Sequence, residues 1–294
     1  MLGGAVRRRA EGCVMTTNPP SLPVPQMSDL TEAAYRALPG LSGTQVATLL
    51  ESPARLKWEA SNPRPRTDAM SLGTIFHALV LGGESLWTVA PFDNFLTKAA
   101  KEWKAEQEAF GLTVVKADVP DTAEAMAEAV MAHSTARGLL KAPGRSEVVV
   151  ESTYRDQHMK GRIDRLLNQG PLVDLKSARD VNPHHMAVAM ADYGYATQLA
   201  HYARIVGSDE PPLIVAVANT APHFVAVYRL DALTWDLAQR AVDVAWDLYA
   251  DCMESGEWPS GLPEGITELG LRPWAYDQLD ERVNPDFYTE MEIG

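Results

Sequence analysis

Along this chain the apolar residues recur first at helical spacing and then, past the middle, at the alternating period of a strand. From Ser28 the pattern is helical. Ser42 precedes GTQVATLLESPARLKWEA, in which Val46, Leu49 and Leu50 share a face, so Ser42 reads as an N-cap and Pro53 as a bend or restart. A loop rich in proline and arginine runs from Asn62 to Asp68. The next run, SLGTIFHALVLGG, predicts a helix burying Leu72, Ile75, Phe76, Leu79 and Val80 and ending at Gly82–Gly83. Residues 97–110 predict a charged helix with Lys98, Lys101 and Lys104 on one side, and residues 120–140 another helix rich in Ala, Met and Glu.

At Glu147 the texture changes. SEVVVESTYRD, MKGRIDRLLN and PLVDLKSA are short β-rich runs separated by turn residues, the pattern of a strand meander. One long helical region from Pro183 to Val206 follows, then strands at 213–220 and 223–230 joined by a tight turn near Pro222, then an amphipathic helix at 232–254. This order predicts an α/β fold, a mixed central β-sheet flanked by helices, with an N-terminal helical portion. Residues 1–27, with prolines and three consecutive arginines, read as a disordered tail, residues 28–260 as the domain, and 261–294 as a C-terminal extension.

Composition narrows the partners. The net charge of −13 counts against passive coating of nucleic acid, which needs the opposite balance, but not against an enzyme with a local basic channel and carboxylate-held metal. No apolar run is long enough for a membrane span and no secretory signal pattern opens the chain, so no membrane partner and a cytoplasmic location are expected. Cys13 and Cys252 supply neither a disulfide framework nor an iron–sulfur or zinc cluster.

The chemistry lies in GRIDRLLNQGPLVDLKSA, residues 161–178. Side chains alternate along a strand, so Asp174 and Lys176 share a face while Leu175 points the other way, into the core. Antiparallel pairing across the LLNQGP turn would bring Asp164 beside them. Two carboxylates that close repel unless a cation compensates, and hard oxygen ligands suit Mg²⁺ or Mn²⁺. Taken alone, D-x-K also fits an ordinary surface hairpin. His77, inside the apolar run GTIFHALVLG, fits either a core histidine or a Mn²⁺ ligand, and Gly73 one turn earlier allows close approach to a sheet. Gln198 and Tyr202, four residues apart, share one helix face. Glu151 fits an extra site carboxylate or a solvated strand end.

Taken in order, Gly73 to His77, Gly161 to Asp164, Val173 to Lys176 and Gln198 to Tyr202 resemble the motifs of the PD-(D/E)XK nuclease superfamily, nearest to the RecB-type and RecE (exonuclease VIII)-like phage exonucleases. The likeness spans about residues 40 to 260, including SPARLKW at 52–58. It implies a restriction-endonuclease-like fold, a metal held by His77, Asp164, Asp174 and the Leu175 carbonyl, and Lys176 as catalytic lysine. Gln198 and Tyr202 would position the DNA strand or the lysine. Many relatives carry Glu where Asp174 stands, so the shorter side chain would shift the metal. The absence of a cysteine cluster sets aside the iron–sulfur relatives.

The expected activity is a metal-dependent deoxyribonuclease degrading double-stranded DNA ends, 5′-to-3′, in phage-type recombination or repair. A single-strand annealing protein and a homo-oligomer are the partners the likeness implies. Structure-specific endonuclease action and a non-catalytic DNA-binding scaffold are the alternatives. Arg55, Lys57, Arg64 and Arg66 are candidate phosphate contacts, ahead of the α-helical lysines Lys98, Lys101 and Lys104, and Trp58 or Trp103 could stack on a base.

Overall fold

The structure is a computed structural model that describes residues 25–62, 67–82 and 86–283. In chain order the elements begin with β1 (Gln26–Ser28), α1 (Glu32–Ala37), β2 (Leu41–Ser42), α2 (Gly43–Glu51), α3 (Pro53–Ser61) and α4 (Asp68–Leu81). Next come β3 (Trp87–Val89), α5 (Lys98–Ala109), β4 (Thr113–Val115), α6 (Asp118–Ala132) and α7 (Ser134–Lys141). Then follow β5 (Gly144–Tyr154), β6 (Gln157–Leu167), β7 (Leu172–Ala178), α8 (Pro183–Asp192) and α9 (Tyr195–Val206). The chain continues through β8 (Leu213–Ala218), β9 (Val225–Arg229), α10 (Ala232–Ser255) and α11 (Pro273–Val283).

A seven-stranded sheet runs β1-β5-β6-β7-β8-β9, with β2 pairing β6. The β5–β6–β7 meander is antiparallel, β7 and β8 are parallel, and β9 returns antiparallel on β8. The parallel step requires a crossover, which α8 and α9 provide. One apolar cluster joins the sheet to α2, α3, α9 and α10 through residues such as Leu49, Leu199 and Trp246. A second joins it to α4, α6 and α7 through Phe76, Met126 and Leu140. The sheet is therefore covered on both faces, as the predicted mixed α/β class requires.

Ser42 does open a helix: Gln45 Oε1 accepts from its backbone N–H at 2.9 Å and from its hydroxyl at 2.8 Å. Pro53 restarts the chain as α3, and Gly82 closes α4 in the left-handed region at φ +78°. Two predicted single helices prove to be pairs. His133, whose Nδ1 accepts from the Ala136 N–H, starts α7 after α6 ends. Gly194, at φ +63°, separates α8 from α9, and a Cβ there would meet the Ala47 Cβ at 2.4 Å. β1 straddles the expected boundary between a disordered tail ending at residue 27 and a helical pattern starting at Ser28, and the short strands β2, β3 and β4 are too brief to show a period.

The β5–β6 hairpin turns on Arg155 and Asp156, both at positive φ. Arg155 ties this turn to α10 through Asp247, Asp251 and Glu254. At the opposite side of β6, the buried Lys160 ammonium donates to the backbone carbonyls of Tyr35 and Leu38. This caps the C-terminal end of α1 and fixes that helix beside the site described next. The chain divides into two compact units, Met1–Pro259 and Ser260–Gly294, the second carrying α11. No helix among the described residues is long and apolar enough to cross a membrane.

Candidate active site

β6 and β7 pair only at Arg165↔Val173 and Leu166↔Leu172. One more step in that register would set Asp164 opposite Asp174, but the ladder stops and the strands part. Into this fork Asp164 extends its carboxylate, and Oδ2 accepts from the Leu175 N–H at 2.7 Å. The carboxylate thus replaces a strand partner for Leu175, which otherwise would bury an unpaired amide. On β7, Asp174 Oδ2 lies 2.8 Å from Lys176 Nζ, the side-by-side placement expected of residues two apart. Leu175, between them, is fully buried among the residues packed on α4.

Two helices complete the site from opposite faces of the sheet. From α9, Gln198 Oε1 accepts from Lys176 Nζ at 3.2 Å, and Gln198 Nε2 donates to the Tyr202 hydroxyl at 2.9 Å. Tyr202 is buried between two glycines: a Cβ on Gly43 or on Gly161 would come within 2.7 Å of its ring. Both glycines are needed because the tyrosine ring occupies the space a side chain would take. Gln198 therefore orients Lys176, and Tyr202 braces Gln198, from within the protein; both side chains are buried. Tyr195, at the start of α9, sets its ring 4.5 Å from Lys176 Nζ.

From α4, His77 Nδ1 lies 3.5 Å from Asp164 Oδ1 and 4.0 Å from Glu147 Oε1. Potential ligand atoms of His77, Glu147 and Asp164 all fall within 4.8 Å of one another, the one such group of three among the described residues. Asp174 stands outside this trio and faces Lys176 instead. Glu147 is the site carboxylate that sequence reading missed. It occupies β5 with φ +55°, so its backbone leaves the extended pleat between Ser146 and Val148. Its other oxygen pairs with the Arg162 guanidinium. Glu151, the candidate named from sequence, instead pairs in register with Gln26 and Lys160, away from the trio. A glutamate four residues earlier was in plain view, but alternation along a strand does not reveal a kink.

Electrostatics separate the two aspartates. Burial would raise Asp164, but His77, Lys176 and the Leu175 amide outweigh it and hold its carboxyl below the usual range. Burial, opposed by Lys176 and aided by Asp164, pushes Asp174 up to about 6. Burial would discharge Lys176, yet the two aspartates keep its ammonium above its ordinary value. Burial pulls His77 down, but Asp164 and then Glu147 outweigh it and raise it. Glu147 is raised by burial and by Asp164, against the pull of Arg162.

These residues fit a divalent cation. Asp174 Oδ2 is buried and, although near Lys176, has no donor in hydrogen-bonding geometry. Two carboxylates and an imidazole converge nearby and face a cavity of 620 Å³ lined also by Gly73, Arg36 and Arg162. An oxygen-rich set with one imidazole suits Mg²⁺ or Mn²⁺. Gly73 was expected to allow tight approach of α4 to the sheet. A Cβ there would meet nothing nearer than the Ser177 hydroxyl at 3.8 Å, so its small size opens the cavity rather than permitting contact.

The proposed phosphate contacts fare differently. Arg55 is exposed on α3 and paired with Glu51 and Glu59, and Lys57 Nζ sits 5.6 Å from the Trp258 ring. Arg64 and Arg66 lie outside the described residues. On α5, Lys98 and Lys104 pair with Glu102 and Glu108 on their own helix. Trp103 packs edge-on against Phe92, whereas Trp58 is exposed.

The mixed sheet covered on both faces is the fold of the PD-(D/E)XK-like nuclease superfamily. Within it, the chain belongs to the family of the PDDEXK-like domain of unknown function (DUF3799), which matches residues 42–264. Among solved structures, a candidate exonuclease from Eubacterium rectale shares the fold with a TM-score of 0.56 at 12% identity, over 85% of this chain and 98% of its own. A phage-related exonuclease from Haemophilus somnus 129PT aligns at 10% identity and TM-score 0.34, over 76% of this chain and 100% of its own. An alkaline exonuclease from Laribacter hongkongensis aligns at 13% identity and TM-score 0.28, over 62% and 96%. No curated protein matches the chain.

Proposed function

We propose that this protein is a Mg²⁺- or Mn²⁺-dependent exodeoxyribonuclease of the RecB/RecE-like kind, hydrolysing phosphodiester bonds from double-stranded DNA ends. The observation that carries the reading is the fork itself, where Asp164, Asp174 and Lys176 meet with His77 and Glu147 beside a cavity. His77, Glu147 and Asp164 would hold the metal, with Asp174 and the Leu175 carbonyl as further oxygen donors. When bound, such a metal lowers the pKa of water and offsets charge on the scissile phosphate.

The protein's own groups would do the rest. Lys176, kept cationic by its aspartates and oriented by Gln198, is placed to stabilise the negative charge that grows on the phosphate or to orient the attacking water. Tyr202 holds Gln198 and so acts as a positioning residue. The 5′-to-3′ polarity, a role in phage-type recombination or repair, an annealing-protein partner and a homo-oligomer rest on the family resemblance. Arg55 and Lys57 remain the proposed DNA contacts among the described residues.

End-labelled linear duplex, with 5′-phosphate or 5′-hydroxyl ends, incubated with Mg²⁺ or Mn²⁺ tests the reading. Release of mononucleotides that disappears in Asp174→Ala and Lys176→Ala supports it; wild-type protein inert under both metals overturns it. Cutting of covalently closed circular DNA would favour the endonuclease alternative, and metal-independent DNA binding without cleavage the scaffold.

A further inference from the structure

A second, larger groove of 1140 Å³ lies beside the end of β7, past Lys176. It begins at Ser177 and Ala178, directly after Lys176, and shares Met70 at the start of α4 with the cavity that holds His77. Beside Asp180 and Asp192, its lining carries exposed aromatic rings and one arginine. Tyr193 is 67% exposed and stacks at 5.5 Å and 31° on Tyr195, the ring that also receives the Lys176 ammonium. Phe224, likewise 67% exposed, enters from the β8–β9 turn. Arg179 is exposed and has no ion pair among the described residues, while the neighbouring Asp180 is bonded to Asn182 and to His185 at 3.0 Å.

Exposed aromatic rings cost solvation unless something covers them, and two such side chains in one groove that adjoins Lys176 through Tyr195 make scattered surface apolarity a poor explanation. A base pair within a duplex hides its ring faces, whereas an unpaired nucleotide offers them. We infer that this groove binds unpaired DNA, with bases stacking on the Tyr193–Tyr195 platform and on Phe224 and with Arg179 beside the backbone phosphates. The inference deepens the nuclease reading and rests on it for the identity of the polymer: the strand being cut would leave its duplex partner on crossing the fork and run along the aromatic groove.

The test is binding in EDTA, which prevents cleavage. A fluorescent thymidine oligomer of about ten nucleotides and an abasic oligomer of the same length are titrated against the full chain. Wild-type protein is expected to bind the thymidine oligomer about tenfold more tightly than the abasic one. Tyr193→Ala and Phe224→Ala should each weaken thymidine binding about five- to tenfold, leave abasic binding unchanged and leave the thermal midpoint unchanged, since both side chains are exposed. Equal wild-type affinity for the two oligomers overturns the proposal. So does equal loss of both in the variants, which would mark a backbone contact, or no loss in either. Duplex digestion with Mg²⁺ separates the two readings: base-dependent binding without digestion removes the nuclease and keeps the groove, and digestion without base-dependent binding does the reverse.

Discussion

The two faces of the sheet treat histidine in opposite ways. On the α9 face, His201 is fully buried and saturated: Nδ1 accepts from Trp246 Nε1–H at 2.9 Å and Nε2 donates to the Lys160 carbonyl at 3.0 Å. Burial lowers its pKa to about 4, so it is a neutral strut joining α9, α10 and β6. On the α4 face, His77 is half-buried against two carboxylates that raise it above its ordinary value. One face has satisfied its polar groups and built rigidity. The other has gathered three carboxylates beside a cavity, partly offset by Lys176, Arg162 and His77, an arrangement suited to a bound cation.

The strongest way to break this contrast is to neutralise the site. Asp164→Asn, Asp174→Asn and Lys176→Met are each expected to lower metal-dependent nucleotide release by about 10²–10⁴-fold. Among them, Asp174→Asn should leave the metal-free protein more stable, by roughly 1–3 kcal/mol at pH 7. The sign follows from its raised pKa. Stability from a raised carboxyl is present below the unfolded value of 3.8 and is lost as pH rises through about 6, so at pH 7 the ionised group is a burden. Urea denaturation in EDTA at pH 7 checks this, and an unchanged or lower stability would show that the buried carboxylate is adequately compensated without metal.

The same logic reverses on the other face. His201 binds a proton in the unfolded chain near 6.5 but only near 4 when folded. Its contribution to stability is present above pH 6.5 and declines by about 3 kcal/mol as pH falls to 4. Comparing the pH slopes of wild type and His201→Asn isolates this term, because other groups titrate equally in both. A slope that survives the substitution would remove His201 as the cause.

Packing around Tyr202 supplies a smaller effect. Gly161→Ala would put a Cβ 2.7 Å from the ring and is expected to destabilise by about 1–3 kcal/mol in chemical denaturation. Activity should fall along with it, since the displaced tyrosine supports Gln198 and through it Lys176; full activity in a destabilised Gly161→Ala protein would uncouple Tyr202 from catalysis. The smallest stability change is expected at the exposed α3 cations. Arg55→Ala and Lys57→Ala should alter stability by less than about 0.5 kcal/mol while lowering the salt dependence of duplex binding by about one ion each. A salt slope that does not move would take α3 out of the DNA path.

Much of this was legible along the chain because it is local. Alternation fixed that Asp174 and Lys176 share a face, and Ser42 and Pro53 marked helix starts, while His77 in an apolar helical run fitted either a core histidine or a metal ligand. Glu147 was not legible, since a single positive φ in a strand reoriented it, and neither was the split at Gly194, where the close approach of Ala47 requires glycine. Tyr195, too, lay unremarked between two motifs, because its meeting with Lys176 depends on how α9 docks against β7.

The sequence by itself determined the longer helices and strands, the mixed sheet flanked by helices and the order of the acidic, basic and imidazole groups, because each follows from period and chemistry within a few residues. Only the tertiary structure decided which carboxylates join His77, that Asp164 serves as a substitute strand partner for Leu175, and that an aromatic groove adjoins Lys176. Those facts depend on where two strands part and which helix lies over the gap, distances set by packing among segments far apart in the chain.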